Sequence, residues 1–104
     1  MSTHVLDTAA GAPASGVPVH LEAFVDGGWE RVAAGSTDAD GRVAALAEVA
    51  DTGIYKLMFD TASHFGPDTF YPVIEIVFLV TDRAGHYHVP LLLSPFGYTT
   101  YRGS

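Results

Sequence analysis

Apolar side chains on every second residue constrain this chain more than any other feature. Val17, Val19, Leu21, Ala23 and Val25 alternate with Pro18, His20, Glu22 and Phe24, the period of a strand with one buried face. Asp26-Gly27-Gly28 interrupts the run as a turn, and Trp29 to Ala33 begins a second strand. Asp38-Ala39-Asp40-Gly41 is another turn, with Gly41 free to take positive φ and Arg42 at the entry of the next strand. Ile54 to Asp60, opened by Gly53, reads as a further strand. Tyr71 to Thr81 is rich in β-branched residues and reads as a long strand buried largely on both faces. Beyond it, Tyr87, Val89, Leu91 and Leu93 point one way, and His86, His88, Pro90 and Leu92 the other. Pro90 has no N–H, which places that strand at or near an edge there.

Turns this frequent predict an all-β fold: a two-sheet antiparallel β-sandwich with seven to eight strands and one short helix. The helix is a single turn over Thr61 to Phe65, before Gly66-Pro67. Ala44 to Ala50 holds good helix formers, but its shortness and its place between hairpin turns argue against a helix. With 104 residues and no repeat, linker or low-complexity stretch, the chain is expected to form a single domain over 1–104.

Composition narrows the partners. Hydrophobic residues make up 48% of the chain and charged residues 16%, against a usual charged share of about a quarter. So small a domain cannot hide that much apolar surface, so the excess points to subunit interfaces and a homo-oligomer. A net charge of −7 argues against nucleic acid and anionic membranes, which attract basic patches. The only Lys and Arg residues are Arg31, Arg42, Lys56, Arg83 and Arg102, so a guanidinium in a cleft would stand out to an anionic ligand. The absence of Cys removes disulfides, thiol nucleophiles and Cys-based zinc sites and fits a reducing, cytoplasmic setting. The opening Met1-Ser2-Thr3-His4 has neither the basic start nor the apolar core of a signal peptide. No apolar run reaches membrane-spanning length; Val73 to Val80 is interrupted by Glu75.

Five histidines are candidates: His4, His20, His64, His86 and His88. His86 and His88 share a strand face, and with His4 they could make a three-His zinc site. No carboxylate sits at a recognisable ligand spacing, however. The chain has no Gly-x-Ser-x-Gly elbow and no Cys, which argues against the commoner covalent hydrolase designs. Nor does it have a phosphate-cradling Gly loop. The residues by themselves indicate a β-sandwich oligomer with a possible His/Arg site and leave function open.

Three segments add a resemblance. Ser2-Thr3-His4-Val5-Leu6-Asp7-Thr8 opens the chain, Thr37-Asp38-Ala39-Asp40-Gly41-Arg42 lies in the middle, and His86-Tyr87-His88-Val89-Pro90-Leu91-Leu92-Leu93-Ser94 leads to Tyr101-Arg102-Gly103-Ser104. With Tyr55-Lys56-Leu57, Phe59-Asp60 and Phe70-Tyr71-Pro72 between them, this wording resembles the 5-hydroxyisourate hydrolases, the enzyme branch of the transthyretin-like proteins. The hormone-carrying branch shares the fold but lacks the Tyr-Arg-Gly-Ser ending. Two departures stand out. The family often has Glu where this chain has Val73, with Glu75 two residues later, and Ala44 to Thr52 matches poorly.

The resemblance implies a transthyretin-like sandwich, a homotetramer built as a dimer of dimers, no cofactor, no metal and a small-molecule substrate, 5-hydroxyisourate. It implies catalytic roles for His4, Arg42, His88 and Ser104, and substrate binding by Tyr101, Arg102 and Gly103. Hydrolysis of the cyclic amide would open the six-membered ring to 2-oxo-4-hydroxy-4-carboxy-5-ureidoimidazoline. His4 and His88 would hold and deprotonate a water, Arg42 and Arg102 would clamp the ring and its developing oxyanion, and Ser104 would orient a His or the substrate. The alternatives are a non-catalytic carrier of small aromatic ligands, a three-His zinc hydrolase, or a purely structural sandwich.

Overall fold

The alternation resolves into nine strands in the computed structural model, which describes every residue from Met1 to Ser104. In chain order these are β1 (Ser2–Asp7), β2 (Ala12–Pro13), β3 (Pro18–Val25), β4 (Gly28–Ser36), β5 (Arg42–Val43), β6 (Gly53–Asp60), β7 (Val73–Val80), β8 (His88–Ser94) and β9 (Gly97–Thr100). A single helical turn, α1 (Ala62–Phe65), sits where it was expected and runs into a 3-10 turn at Gly66–Asp68. Beyond the seven or eight strands expected lie β2 and β5, of two residues each, too short to leave a periodic signal.

One sheet runs β2-β1-β8-β9, with β5 also paired to β1; the other runs β4-β3-β6-β7. Within this sandwich one pair, β1 with β8, is parallel. The inward residues Val5, Val89, Leu91 and Leu93 of the first sheet join Val19, Leu21, Leu57, Phe59, Ile74 and Ile76 of the second in one core. Polar Thr3 is buried with them because its hydroxyl donates to the Val89 carbonyl at 2.6 Å, so no group is left without a partner. The accessible surface, 5751 Å², matches the roughly 5,600 Å² of a folded chain this size.

Two expectations need correction. β7 buries only one face: Ile74, Ile76 and Val80 point inward, while Val73, Val77 and Leu79 are exposed on the outer side. An edge strand with an apolar outer face gives the same run of β-branched residues as a strand buried on both sides, so sequence could not separate them. β8 is not an edge strand but lies between β1 and β9. Pro90 is tolerated there because its carbonyl accepts from Thr100 Oγ1 at 2.8 Å, and its nitrogen shares that side of the strand. The side falls between Thr100, the last residue of β9, and Gly103, whose N–H reaches the His88 carbonyl at 2.8 Å. The missing N–H therefore costs no ladder bond. As expected from its shortness and its position between turns, Ala44–Ala50 forms no helix despite its propensity.

Candidate active site

Inward residues alternate with outward ones, so burying Thr3, Val5, Val89 and Leu91 turns Ser2, His4, His88 and Pro90 onto the outer face of the first sheet. The register sets their neighbours: Ser2 is opposite His88, His4 opposite Pro90, and on the other side His4 is opposite Arg42. Two histidines far apart in sequence and one arginine thus meet on one surface.

The turn before Arg42 is fixed by its own side chain. Asp38 Oδ1 accepts from the N–H groups of Asp40 at 2.9 Å and Arg42 at 3.0 Å. Gly41 sits at φ 76°, a region that favours glycine, and its carbonyl accepts from the Val5 N–H at 2.7 Å. A Cβ at Gly41 would run into the Val5 carbonyl, so only glycine lets the turn lie this close to β1. The turn also fixes His4, whose Nε2 is 2.9 Å from the Asp40 carbonyl. A carbonyl only accepts, so Nε2 carries the hydrogen and Nδ1 is left with a lone pair.

His88 is held on several sides. Its Nδ1 is 2.7 Å from Ser2 Oγ. Gly103 lies flat on the ring's Cδ2 edge, where a Cβ would come within 2.5 Å of Cδ2 and 3.2 Å of Pro90 Cγ. Nε2 makes no hydrogen bond within the chain. Burial, and then the neighbouring Arg42, His4 and His86, hold the imidazole below its ordinary value, with only the Ser2 backbone acting in the other direction. Each of the first four disfavours a positive ring.

Two cavities meet at His88. One, of about 260 Å³, is polar and bounded by Ser2, Arg42, His86, His88 and Ser104. The other, of about 140 Å³, is mostly apolar and includes Phe78, Tyr87, Tyr101 and Arg102. Of the residues singled out in the sequence, the fold brings Arg42, His88 and Ser104 to the polar cavity and sets His4 beside Arg42. It places Tyr101 and Arg102 on the apolar side, with the Arg102 guanidinium 4.8 Å over the Tyr87 ring, and Gly103 between the two. The polar cavity gathers a guanidinium, two imidazoles and three hydroxyl side chains, those of Ser2, Thr3 and Ser104. His4, His86 and His88 do not converge as a three-ligand set; no group of three His, Asp or Glu side chains has metal-holding geometry.

His20 and His64 lie elsewhere. His20 Nε2 contacts Met58 Sδ at 2.9 Å and Glu22 at 3.4 Å. His64 Nε2 pairs with Asp7 Oδ2 at 2.8 Å. Burial pushes the Asp7 carboxyl up, but the His64 hydrogen bond, the Ala10 N–H and the His64 charge together outweigh it and leave it below its ordinary value. The reading of the sequence missed Ser2 as a partner of His88, because the contact exists only in the parallel register of β1 and β8.

Similarity to known proteins extends along the whole chain. The sequence model of the HIUase/Transthyretin family matches residues 1–103. The 5-hydroxyisourate hydrolase of Salmonella dublin is 47% identical over 109 residues, which covers 100% of this chain and 80% of the relative. The uric acid degradation bifunctional protein TTL of Arabidopsis thaliana is also 47% identical, but this chain spans only 37% of its length. The Klebsiella pneumoniae 5-hydroxyisourate hydrolase structure superposes with a TM-score of 0.86 at 37% identity, covering 99% of this chain and 97% of that one. Sea bream transthyretin in complex with thyroxine gives 0.88 at 36%, covering 98% and 92%. With the family match over nearly its whole length, and a fold to go with it, the chain belongs to the HIUase/Transthyretin family.

Proposed function

We propose that this protein is a 5-hydroxyisourate hydrolase, a single domain over residues 1–104 that opens the cyclic amide without a metal. The observation that carries the reading is His88: a ring held toward its neutral form, with Nε2 unengaged, on one cavity with Arg42 and Ser104. An unprotonated imidazole at neutral pH can take a proton from water. The two hydrolases compared above, similar along the whole chain, support the substrate.

In this mechanism His88 Nε2 takes a proton from a water whose oxygen bonds to the ring carbonyl carbon. Arg42 faces the oxyanion that forms. The C–N bond breaks, the proton on His88 passes to the departing nitrogen, and the new carboxyl group ionises. His4, tied to Asp40 through Nε2, holds the substrate or water through Nδ1. The Ser104 hydroxyl orients the water. Tyr101, Arg102 and Gly103 form the substrate-binding wall beside His88, Gly103 by allowing close approach to the ring. The protein is expected to be cytoplasmic and to work as a homotetramer.

A carrier function is the second reading, favoured by the likeness to thyroxine-bound transthyretin and by the apolar cavity. Freshly generated 5-hydroxyisourate separates the two. We expect the protein to speed loss of the substrate well above its spontaneous decay, to yield the ureidoimidazoline, and to do so equally after treatment with a strong chelator. Binding without turnover would favour the carrier, and activity lost to the chelator and restored by zinc would refute the metal-independent mechanism.

A further inference from the structure

We propose that Ser2 is a positioning residue for His88, holding the imidazole as the Nδ1–H tautomer so that Nε2 meets the polar cavity as a lone pair. The inference rests on the hydrolase reading for its kinetic consequence but not for its geometry. Ser2 and His88 are register partners across the parallel β1–β8 pair, and the Ser2 N–H reaches the Tyr87 carbonyl at 3.0 Å. Next to it, Thr3 is anchored to Val89 through its own hydroxyl. The backbone thus fixes the Ser2 side chain, and Oγ lies 2.7 Å from Nδ1.

Two orientations of the ring must be told apart. Turning it over would exchange Nδ1 with Cδ2, put a carbon against Ser2 Oγ and lose that hydrogen bond. Gly103, packed on the Cδ2 edge, fills the space on the opposite side. Two tautomers must also be distinguished, because a hydroxyl can donate or accept. Arg42, which shares the cavity, offers only donors, so it suits a lone pair at Nε2 better than a second N–H. That puts the hydrogen on Nδ1, where Ser2 Oγ accepts it. His4 has the reverse arrangement, with Nε2–H bound to Asp40. The two imidazoles are therefore set in opposite tautomers by partners on two different elements.

The test combines ¹⁵N NMR of the His88 ring with steady-state kinetics on Ser2→Ala and Ser2→Thr. In the wild-type protein we expect Nδ1 to be protonated and Nε2 pyridine-like at neutral pH. Ser2→Thr, which keeps the hydroxyl, should retain that signature and near-normal kcat. Ser2→Ala should show a mixture of tautomers and a kcat roughly tenfold lower, the upper range of one neutral hydrogen bond, with KM and thermal unfolding little changed. A wild-type ring protonated at Nε2, an unchanged kcat in Ser2→Ala, or a loss that Ser2→Thr does not rescue would each overturn the proposal. If the protein does not hydrolyse 5-hydroxyisourate at all, the function reading fails while the NMR spectrum still decides the tautomer.

Discussion

An imidazole with a guanidinium and two other imidazoles around it is hard to protonate, and His88 is placed in that setting. Burial lowers its affinity for a proton first, and Arg42 second. The sign follows directly. Removing the Arg42 charge removes a repulsion felt only by the protonated ring, so the His88 pKa must rise in Arg42→Ala. An NMR titration should place wild-type His88 below the ordinary value of about 6.5 and the variant above wild type. An unmoved or lowered value in the variant would mean that Arg42 does not face the ring. Much of the cavity's make-up was legible from residues and resemblance together: Arg42, His88 and Ser104, expected to lie together, do line it, and His4 is beside Arg42. What could not be read was which ring nitrogen each partner engages. Ser2 and the Asp40 carbonyl act through register and turn geometry, which no local pattern encodes.

Elements, unlike single contacts, follow from periodicity and turn chemistry, and most strands began and ended near where alternation and Gly placed them. The errors came where one pattern has two physical causes. An apolar, β-branched run fits both a strand buried on two faces and an edge strand with a sticky outer face, and β7 is the second. A proline suggests an edge, but β8 accommodates Pro90 in the interior because a gap in the neighbouring pairing absorbs the missing donor. Between elements, the Asp7–His64 pair joins the end of β1 to α1. The His64 and Ala10 hydrogen bonds hold the Asp7 carboxyl below its ordinary value of 3.8, so its stabilising contribution is full above that value and fades as pH falls through the lower native one. Denaturant unfolding from pH 6 down to about pH 2 should therefore show wild type losing more stability than Asp7→Asn, whose side chain does not titrate. Parallel curves for the two proteins would show the pair to be energetically silent.

At the scale of the whole molecule, the apolar surplus noted in the composition reappears as surface. Val77 and Leu79 on β7 are 58% and 61% exposed, and Phe96 beside β9 is 74% exposed. β7 and β9 each form one edge of their sheets, and Tyr71 packs edge-on against Tyr98 at 5.5 Å between them. An unpaired edge flanked by large apolar side chains suits a second copy of the same chain. Light scattering after size exclusion should give four subunits, and Leu79→Arg should give smaller species. A monomeric wild-type protein at micromolar concentration would contradict the assembly.

If His88 is the base of a hydrolytic site, His88→Ala must be a poor catalyst. With 5-hydroxyisourate generated in place and spontaneous decay subtracted, the variant should lose about 10²–10⁴-fold in kcat while its circular dichroism and unfolding midpoint stay close to wild type. A folded His88→Ala protein that turns over substrate at a near-normal rate would show that His88 is not the base.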